Sequence, residues 1–282
     1  MRRLSLALAS CCIASAAFAQ DTGTGALPSP EEVAGKNMVT VGVGAALIPD
    51  YEGSDDYRWI PAGAIRGKVD GFSFTTRGSY FYFDAIPHRG ASKMDFDFGP
   101  IAGVRLNRKS HIDDDFVKLL PHRNIAIEVG GFAGVSFHGV TNPYDTLALR
   151  LDVLRDVGNA HKSTTFSPNL EFSTPLSRRT YASANVGAEF VGNRFADYYF
   201  SISPTDSVRS GLPVFNADGG MKDWKAGLLL NQSITGDLLH GFSIFGTGQY
   251  SRLVGDFKRS PIVSERGSAN QWLAAAGVAY TW

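Results

Sequence analysis

The residues with the clearest chemical potential are a histidine and a hydroxyl two positions apart, His161 and Ser163, followed by the carboxylate of Glu171. In acyl transfer a histidine accepts the serine proton while a carboxylate orients its ring, so these residue types could form a nucleophilic site. Gly158 and Asn159, which come just before, are typical of a turn. We therefore predict a solvated turn at His161 rather than a catalytic group.

Two other groups of polar residues have simple interpretations. Asp113, Asp114 and Asp115 offer the oxygen ligands that calcium and magnesium prefer, but the spacing of an EF-hand is absent and a solvated charge run is expected. His138 follows Ser136 on the polar face of its segment, where it is expected to join an interior hydrogen-bond network. The sequence thus predicts no catalytic, cofactor-binding or metal-binding residue.

Composition excludes several classes of function. The chain has 27 basic and 27 acidic residues, so it lacks the basic footprint of proteins that bind nucleic acid. Its two cysteines are Cys11 and Cys12, and both lie in an N-terminal segment that we expect to be removed. The remaining chain then forms neither a disulfide nor a thiolate metal site.

The N-terminal segment has the pattern of an export signal. A basic pair precedes an apolar run and an A-x-A cleavage motif that ends at Ala19, so residues 1–19 are predicted to be a signal peptide. A lipoprotein signal ending at Cys11 is the alternative. Residues 20–36 are predicted to be a flexible periplasmic segment. No later run reaches the roughly 18 apolar residues that a spanning helix needs.

From residue 39 onward the chain alternates between apolar and polar residues over segments bounded by Gly, Pro, Asn and Asp. Residues 95–106 show the pattern: Phe96 and Phe98 fall on one face, and Asp95 and Asp97 on the other. We count about eleven such segments. A bacterial barrel normally has an even number of strands, so residues 198–202 are a candidate twelfth strand, with ten strands as the alternative.

The predicted inner face carries charges of both signs. Charges in a narrow lumen are costly unless they are paired, so the pattern predicts a cross-linked, plugged interior. The charged residues concerned are Asp97, Arg105, Glu128, Arg150, Asp152, Glu171, Glu189 and Lys225.

The chain ends on an aromatic strand. Residues 272–282 alternate strictly, and the ending resembles the terminal signature of bacterial outer-membrane barrels, with Gly277 before Tyr280 and Trp282. That signature is read by the barrel-assembly machinery. Other aromatic residues near strand ends are interpreted as girdles at the two membrane interfaces. They include Tyr51, Tyr57, Trp59, Tyr80, Tyr82, Tyr198, Tyr199, Trp224 and Tyr250.

Three stretches resemble the MltA-interacting protein (MipA/OmpV) family. They are residues 49–55, residues 199–202 with 210–213, and residues 250–256 with 260–263. The resemblance implies an outer-membrane barrel, and one member is a scaffold that joins a lytic transglycosylase to a bifunctional peptidoglycan synthase. Other members resemble adhesins or are induced by stress. The family offers no established catalytic residues to carry over.

Together these patterns predict an all-β protein, an antiparallel transmembrane β-barrel of about 12 strands over residues 37–282. The predicted function is a non-enzymatic outer-membrane scaffold for peptidoglycan-remodelling enzymes, with no cofactor. Its expected partners are outer-membrane lipid, the barrel-assembly machinery, a lytic transglycosylase and a peptidoglycan synthase, and not nucleic acid. A narrow small-solute channel, a surface adhesin and a lipid-modifying enzyme that uses His161 and Ser163 remain alternatives. Periplasmic termini place residues 48–57 and 253–269 outside and leave the side of residues 107–123 open.

Overall fold

Twelve antiparallel strands close into one barrel in the computed structural model, which describes residue 29 and residues 35–109 and 112–282. The strands are β1 (Met38–Pro49), β2 (Tyr57–Val69), β3 (Phe72–Arg77), β4 (Tyr80–Asp84), β5 (Met94–Arg105), β6 (Ala126–His138), β7 (Thr146–Asp156), β8 (Thr164–Pro175), β9 (Thr180–Val191), β10 (Gly220–Ser233), β11 (Gly241–Leu253) and β12 (Asn270–Thr281). Each strand pairs with its sequence neighbours, and β1 pairs with β12 to close the ring. The predicted signal peptide, residues 1–19, lies outside the described residues, as does almost all of residues 20–36.

The outer surface of the barrel is apolar, as the alternation predicts. Phe96 and Phe98 are 61% and 60% exposed, whereas the side chains of Asp95 and Asp97, which alternate with them, point inward. The same sorting places large apolar side chains outside on strands all round the ring, among them Val43, Ile127, Leu149, Val186, Leu228, Ile244, Trp272 and Val278. A continuous apolar band on a closed barrel requires hydrocarbon as its solvent, because water would leave that area unburied.

The barrel wall is shorter at strands β3 and β4 than elsewhere. β3 has 6 residues and β4 has 5, fewer than the roughly 9 to 11 that a tilted membrane-spanning strand needs. β2 pairs with β3 only from Arg66 to Val69, so its residues 59–64 have no neighbouring strand on that edge among the described residues. Pro61, which has no N–H to donate, lies in this stretch, as is usual for an edge.

The two ends of the barrel differ. At the turn end, the connections are residues 70–71, 85–93, 139–145, 176–179 and 234–240. At the loop end, apart from the tight turn at residues 78–79, they are residues 50–56, 106–125, 157–163, 192–219 and 254–269. In bacterial barrels short turns face the periplasm and long loops face outward. The described part of the 107–123 loop, residues 107–109 and 112–123, therefore lies on the same side as residues 48–57 and 253–269, and the Asp113 N–H donates to Asp50 Oδ2 at 3.2 Å.

Short helices occupy the loop end. They are a 3-10 helix (Val117–Leu119), α1 (Asn193–Phe200), α2 (Pro204–Ser210), α3 (Gly255–Arg259) and α4 (Pro261–Ser264). α2 begins where Ser203 Oγ accepts the Asp206 N–H at 3.1 Å, and it ends at Gly211, whose φ of 77° favours glycine. Within the described residues, no helix has the length and apolar character needed to cross a membrane.

The assignment of residues 198–202 to a strand is wrong. α1 covers most of this stretch, and the barrel reaches twelve strands without it. The helix buries Phe195, Ala196, Tyr199 and Phe200, which recur at the spacing of one helical face. Aromatic density alone had suggested a strand, but the buried face of a short helix needs the same residues.

Candidate functional site at the capped loop end

The long loops pack together into a cap over the loop end of the barrel. Phe195 in α1 is 0% exposed, and Phe257 in α3 packs edge-on against Phe200 with ring centroids 5.1 Å apart. The Tyr51 hydroxyl donates to the Ile262 carbonyl at 3.0 Å. The buried apolar cluster also includes Val117, Leu120, Val191, Ala196, Tyr199, Ile202, Leu212, Ala217, Leu253 and Val263. The cap is therefore a small hydrophobic core of its own.

Beneath the cap, one guanidinium ties a loop to three strands. Arg105 on β5 lies 2.9 Å from Glu52 Oε1 through Nη1, 3.2 Å from Glu128 Oε1 through Nε, and 2.8 Å from Glu189 Oε1 through Nη2. The side chain of Glu128 is 0% exposed. Such charges are stable away from water only because each is paired and hydrogen-bonded.

A second buried cation shares two of these carboxylates. Lys222 Nζ lies 2.9 Å from Glu52 Oε2, 2.7 Å from Glu189 Oε2 and 3.3 Å from Asp223 Oδ2. Burial opposes the ionisation of Glu52, but Lys222 and Arg105 outweigh it, so the pKa of Glu52 lies below its usual value. The loop at residues 50–56 is thereby held to the barrel by charge.

The ring of Phe195 connects the cap to this charged layer. The Arg105 guanidinium lies 5.0 Å from the ring centroid and Lys222 Nζ lies 5.5 Å from it. The His161 ring meets the same phenyl group edge-on at 5.0 Å. Cations over an aromatic face are attracted by its quadrupole, so α1 is fixed from below as well as within the cap.

The predicted solvated turn at His161 is wrong. His161 is 2% exposed, and its Nε2 lies 2.8 Å from Glu128 Oε1. Asn159 does adopt a turn conformation, with φ 61°, but the turn directs the imidazole into the lumen, where Glu128 binds it. The residues before His161 predict the turn correctly, but the burial of the imidazole depends on Glu128 in another strand.

The structure does not assemble His161, Ser163 and Glu171 into a nucleophilic site. The backbone N–H of Ser163 donates to His161 Nδ1 at 3.2 Å, and Glu128 takes the other ring nitrogen. Glu171 lies elsewhere, 2.9 Å from Arg77 Nη1. With both ring nitrogens engaged, His161 has no atom left to accept a proton from the Ser163 hydroxyl.

The predictions for His138 and for the aspartate run at residues 113–115 have different outcomes. His138 is confirmed in an interior network, with Nδ1 2.9 Å from Thr146 Oγ1 and Nε2 3.1 Å from Asp95 Oδ2. The prediction that residues 113–115 form a solvated charge run is only partly right, because the side chain of Asp114 is 8% exposed and lies 2.7 Å from Arg266 Nη2. Burial alone would raise the pKa of Asp114. Hydrogen bonds from Arg266 and from backbone N–H groups outweigh burial and hold that pKa below its usual value. Asp113 and Asp115 are exposed.

The predicted cross-linking of the lumen is confirmed. Besides the layer around Arg105, Arg150 Nε lies 2.7 Å from Asp152 Oδ1, and the Arg77 guanidinium binds Glu171. Lys225 acts on Glu189 electrostatically. Arg150 and Asp152 lie on the same strand, whereas the Arg77–Glu171 and Arg105–Glu189 pairs connect non-adjacent strands across the lumen and brace the barrel wall from inside.

The aromatic girdles need correction at five positions. Trp59 and Trp272 are 68% and 60% exposed on the outer surface, as expected. Tyr51 and Tyr199 are instead buried in the cap, and Tyr198 in α1 packs against the same cluster. Tyr80 and Tyr82 point inward. The Tyr82 hydroxyl donates to Asp152 Oδ2 at 3.0 Å, and that of Tyr80 donates to Glu128. Their strand, β4, is too short for alternation to show which face is inner.

A buried arginine in the cap escaped the sequence analysis. Arg108 is 2% exposed, and none of its guanidinium nitrogens has a hydrogen-bond partner among the described residues. Burial and the neighbouring Arg123 lower the pKa of Arg108 to about 9. No local pattern distinguishes this arginine from a surface one.

A closed barrel with an apolar outer band, a charge-paired lumen and a packed cap defines an outer-membrane β-barrel protein. The chain belongs to the family described as MltA-interacting protein MipA, whose model matches residues 41–282. The "MltA-interacting protein" of Escherichia coli (strain K12) is 28% identical over 95 residues, or 34% of this chain and 35% of the relative. The protein of the same name from Shigella flexneri shows the same values. The matched region thus spans about a third of the length of these curated relatives.

Solved barrels are similar in fold at low identity. An outer membrane channel from Pseudomonas putida F1 is 9% identical, covers 91% of this chain and 97% of its own, and has a TM-score of 0.44. The outer membrane protein OprD from Pseudomonas aeruginosa is 6% identical, covers 91% and 97%, and has a TM-score of 0.34.

Proposed function

We propose that this protein is a non-enzymatic scaffold in the outer membrane whose first partner is a periplasmic lytic transglycosylase, with a peptidoglycan synthase as a second partner. The name of the curated relatives, MltA-interacting protein, supports an enzyme of the cell wall as the partner class. The barrel-assembly machinery and outer-membrane lipid are further expected partners. The absence of a free ring nitrogen at His161 supports a role without catalysis.

The observation that carries the proposal is the set of exposed apolar side chains on turns at the periplasmic end of the barrel. The cap fills the loop end, whereas the turn end faces the periplasm. Three of its turns each present an exposed branched apolar side chain: Val140 is 52%, Leu176 is 63% and Ile234 is 55% exposed. Turns usually carry polar residues, Gly or Pro, so apolar groups here fit a protein-binding surface.

The experiment measures binding of a purified lytic transglycosylase to the full chain in lipid nanodiscs by biolayer interferometry. Leu176→Asp and Ile234→Asp are each expected to weaken binding at least about tenfold, or about 1.4 kcal/mol. Val208→Asp is the matched control, because Val208 is 90% exposed in α2 at the opposite end. It should bind like the wild type.

Heat-modifiable migration on gels confirms that each variant is folded before binding is measured. Folded wild-type protein that does not bind the enzyme would refute the proposed partner. Equal binding by all three variants would refute docking at the turn end.

A further inference from the structure

A second polar cluster lies inside the turn end of the barrel, far from the cap. His88, in the loop at residues 85–93, meets Asp84 at the end of β4 and Asp95 and Asp97 on β5. His138, at the end of β6, joins through Asp95. The side chains of Asp84 and His88 are only 9% and 15% exposed, so the cluster is largely shielded from solvent.

Two carboxylate oxygens converge on a single ring nitrogen. His88 Nε2 lies 3.2 Å from Asp84 Oδ2 and 3.4 Å from Asp97 Oδ1. A ring nitrogen carries at most one proton, so it cannot donate a full hydrogen bond to both oxygens. A tetrahedral Zn²⁺, at about 2.0–2.2 Å from each ligand, spaces its ligand atoms by roughly 3.3 Å. The two distances from His88 Nε2 match that spacing, and all three atoms lie within 4.8 Å of one another.

The remaining atoms of these groups are held by other partners. Asp84 Oδ1 accepts the N–H groups of Ile86 at 3.0 Å and Phe98 at 3.3 Å. The Ser136 hydroxyl donates to Asp97 Oδ2 at 2.5 Å. The free oxygens are therefore the ones aimed at His88 Nε2. Outer partners of this kind fix the orientation of metal-binding carboxylates.

Asp95 lies beside the far ring nitrogen of His88, where a metal-binding histidine usually has a carboxylate. Its Oδ1 lies 3.6 Å from His88 Nδ1, and its Oδ2 lies 3.1 Å from His138 Nε2. At 3.6 Å Asp95 does not accept a hydrogen bond from His88, but its negative charge favours a proton on Nδ1, and that tautomer leaves Nε2 free to bind a metal. Lys68 on β2 interacts electrostatically with this carboxylate.

We propose that this cluster binds one divalent transition-metal ion, with Zn²⁺ as the best fit, through His88 Nε2, Asp84 Oδ2 and Asp97 Oδ1. Imidazole with carboxylates favours zinc and its neighbours over calcium and magnesium, which prefer oxygen ligands alone. Three protein ligands leave a fourth position for water or for a group from a partner. A bound ion anchors the loop at residues 85–93 to the barrel wall. The site does not depend on the scaffold function.

The experiment titrates Zn²⁺ into the full, chelator-stripped protein in detergent micelles, with calorimetry and a chromophoric competitor as readouts. The expected stoichiometry is one ion per barrel, and Co²⁺ should give the intense visible bands of a tetrahedral site. His88→Gln and Asp97→Asn should abolish this binding. Asp95→Asn, which removes only the outer partner, should weaken it about 10- to 100-fold.

His240→Gln is the matched control, because His240 is an exposed histidine in another turn at the same end of the barrel. It should bind Zn²⁺ like the wild type. Asp97→Asn preserves side-chain volume and carries the test if His88→Gln does not fold. Equal Zn²⁺ binding by wild type and Asp97→Asn, or no binding by the folded wild type, would overturn the proposal and leave a hydrogen-bonded cluster only.

Discussion

Replacing Arg105 with methionine tests whether the buried charge layer holds the cap to the barrel. The change removes the partner of Glu52, Glu128 and Glu189 at once and leaves them Lys222 and His161. Removing one partner of a buried pair costs about 3–5 kcal/mol. At neutral pH we therefore expect a loss of at least about 3 kcal/mol in the free energy of unfolding, which is roughly a 150-fold change in the equilibrium.

The assay is urea unfolding of the protein in lipid bilayers, followed by the fluorescence of its tryptophans. Lowering the pH protonates the stranded carboxylates, so the deficit of Arg105→Met relative to wild type should shrink in acid. Arg252→Met is the control, because Arg252 is exposed and bonded only to Asn270, and it should change stability by less than about 0.5 kcal/mol. A loss below about 1 kcal/mol for Arg105→Met, or a deficit that does not vary with pH, would contradict this account of the layer.

Three further outcomes are expected. The lowered pKa values of Glu52 and Asp114 mean that their contribution to stability is present above the pKa values of the unfolded chain and is lost as pH falls through the folded ones. The protection of cap amides against hydrogen exchange, measured relative to the intrinsic rate at each pH, should therefore fall below about pH 4, and unchanged protection would count against the pairing. Ser163→Ala should leave the lipid profile of the outer membrane unaltered by mass spectrometry, since a change would restore the enzymatic alternative. Wild-type protein in planar bilayers should show little conductance, whereas Phe195→Ala, which empties the centre of the cap, should increase it; a large open conductance in the wild type would refute the closed loop end.

The sequence predicts the barrel wall well because lipid imposes one rule on every strand. An Arg or Lys on the outer face near the bilayer centre costs about 2–4 kcal/mol, so alternation is strict and its apolar face can be assigned. Phe96 and Phe98 outside with Asp97 inside follow directly. The same rule identifies the inward charges, and their mixed signs predict the pairing seen around Arg105.

The cap and the turn-end cluster were beyond that rule. Glu52 meets Lys222 across 170 positions of sequence, and no local pattern records such a contact. His161 was placed in a turn correctly, but its burial depends on Glu128 in another strand. No sequence pattern singles out His88, because Asp97 becomes its neighbour only when β4 and β5 pair in the barrel wall. Loops that fold onto each other follow tertiary packing, which periodicity does not encode.

The short hairpin formed by β3 and β4 gives the barrel an uneven height. Among the residues that the structure describes, no strand lies beside residues 59–64 of β2 on one edge, at the level where the outer leaflet meets the wall. Each unpaired amide in hydrocarbon costs several kcal/mol. Along this flank the leaflet must therefore thin until head groups or water reach the strand. The protein thus thins the bilayer on one side only, so its two flanks differ within the plane of the membrane.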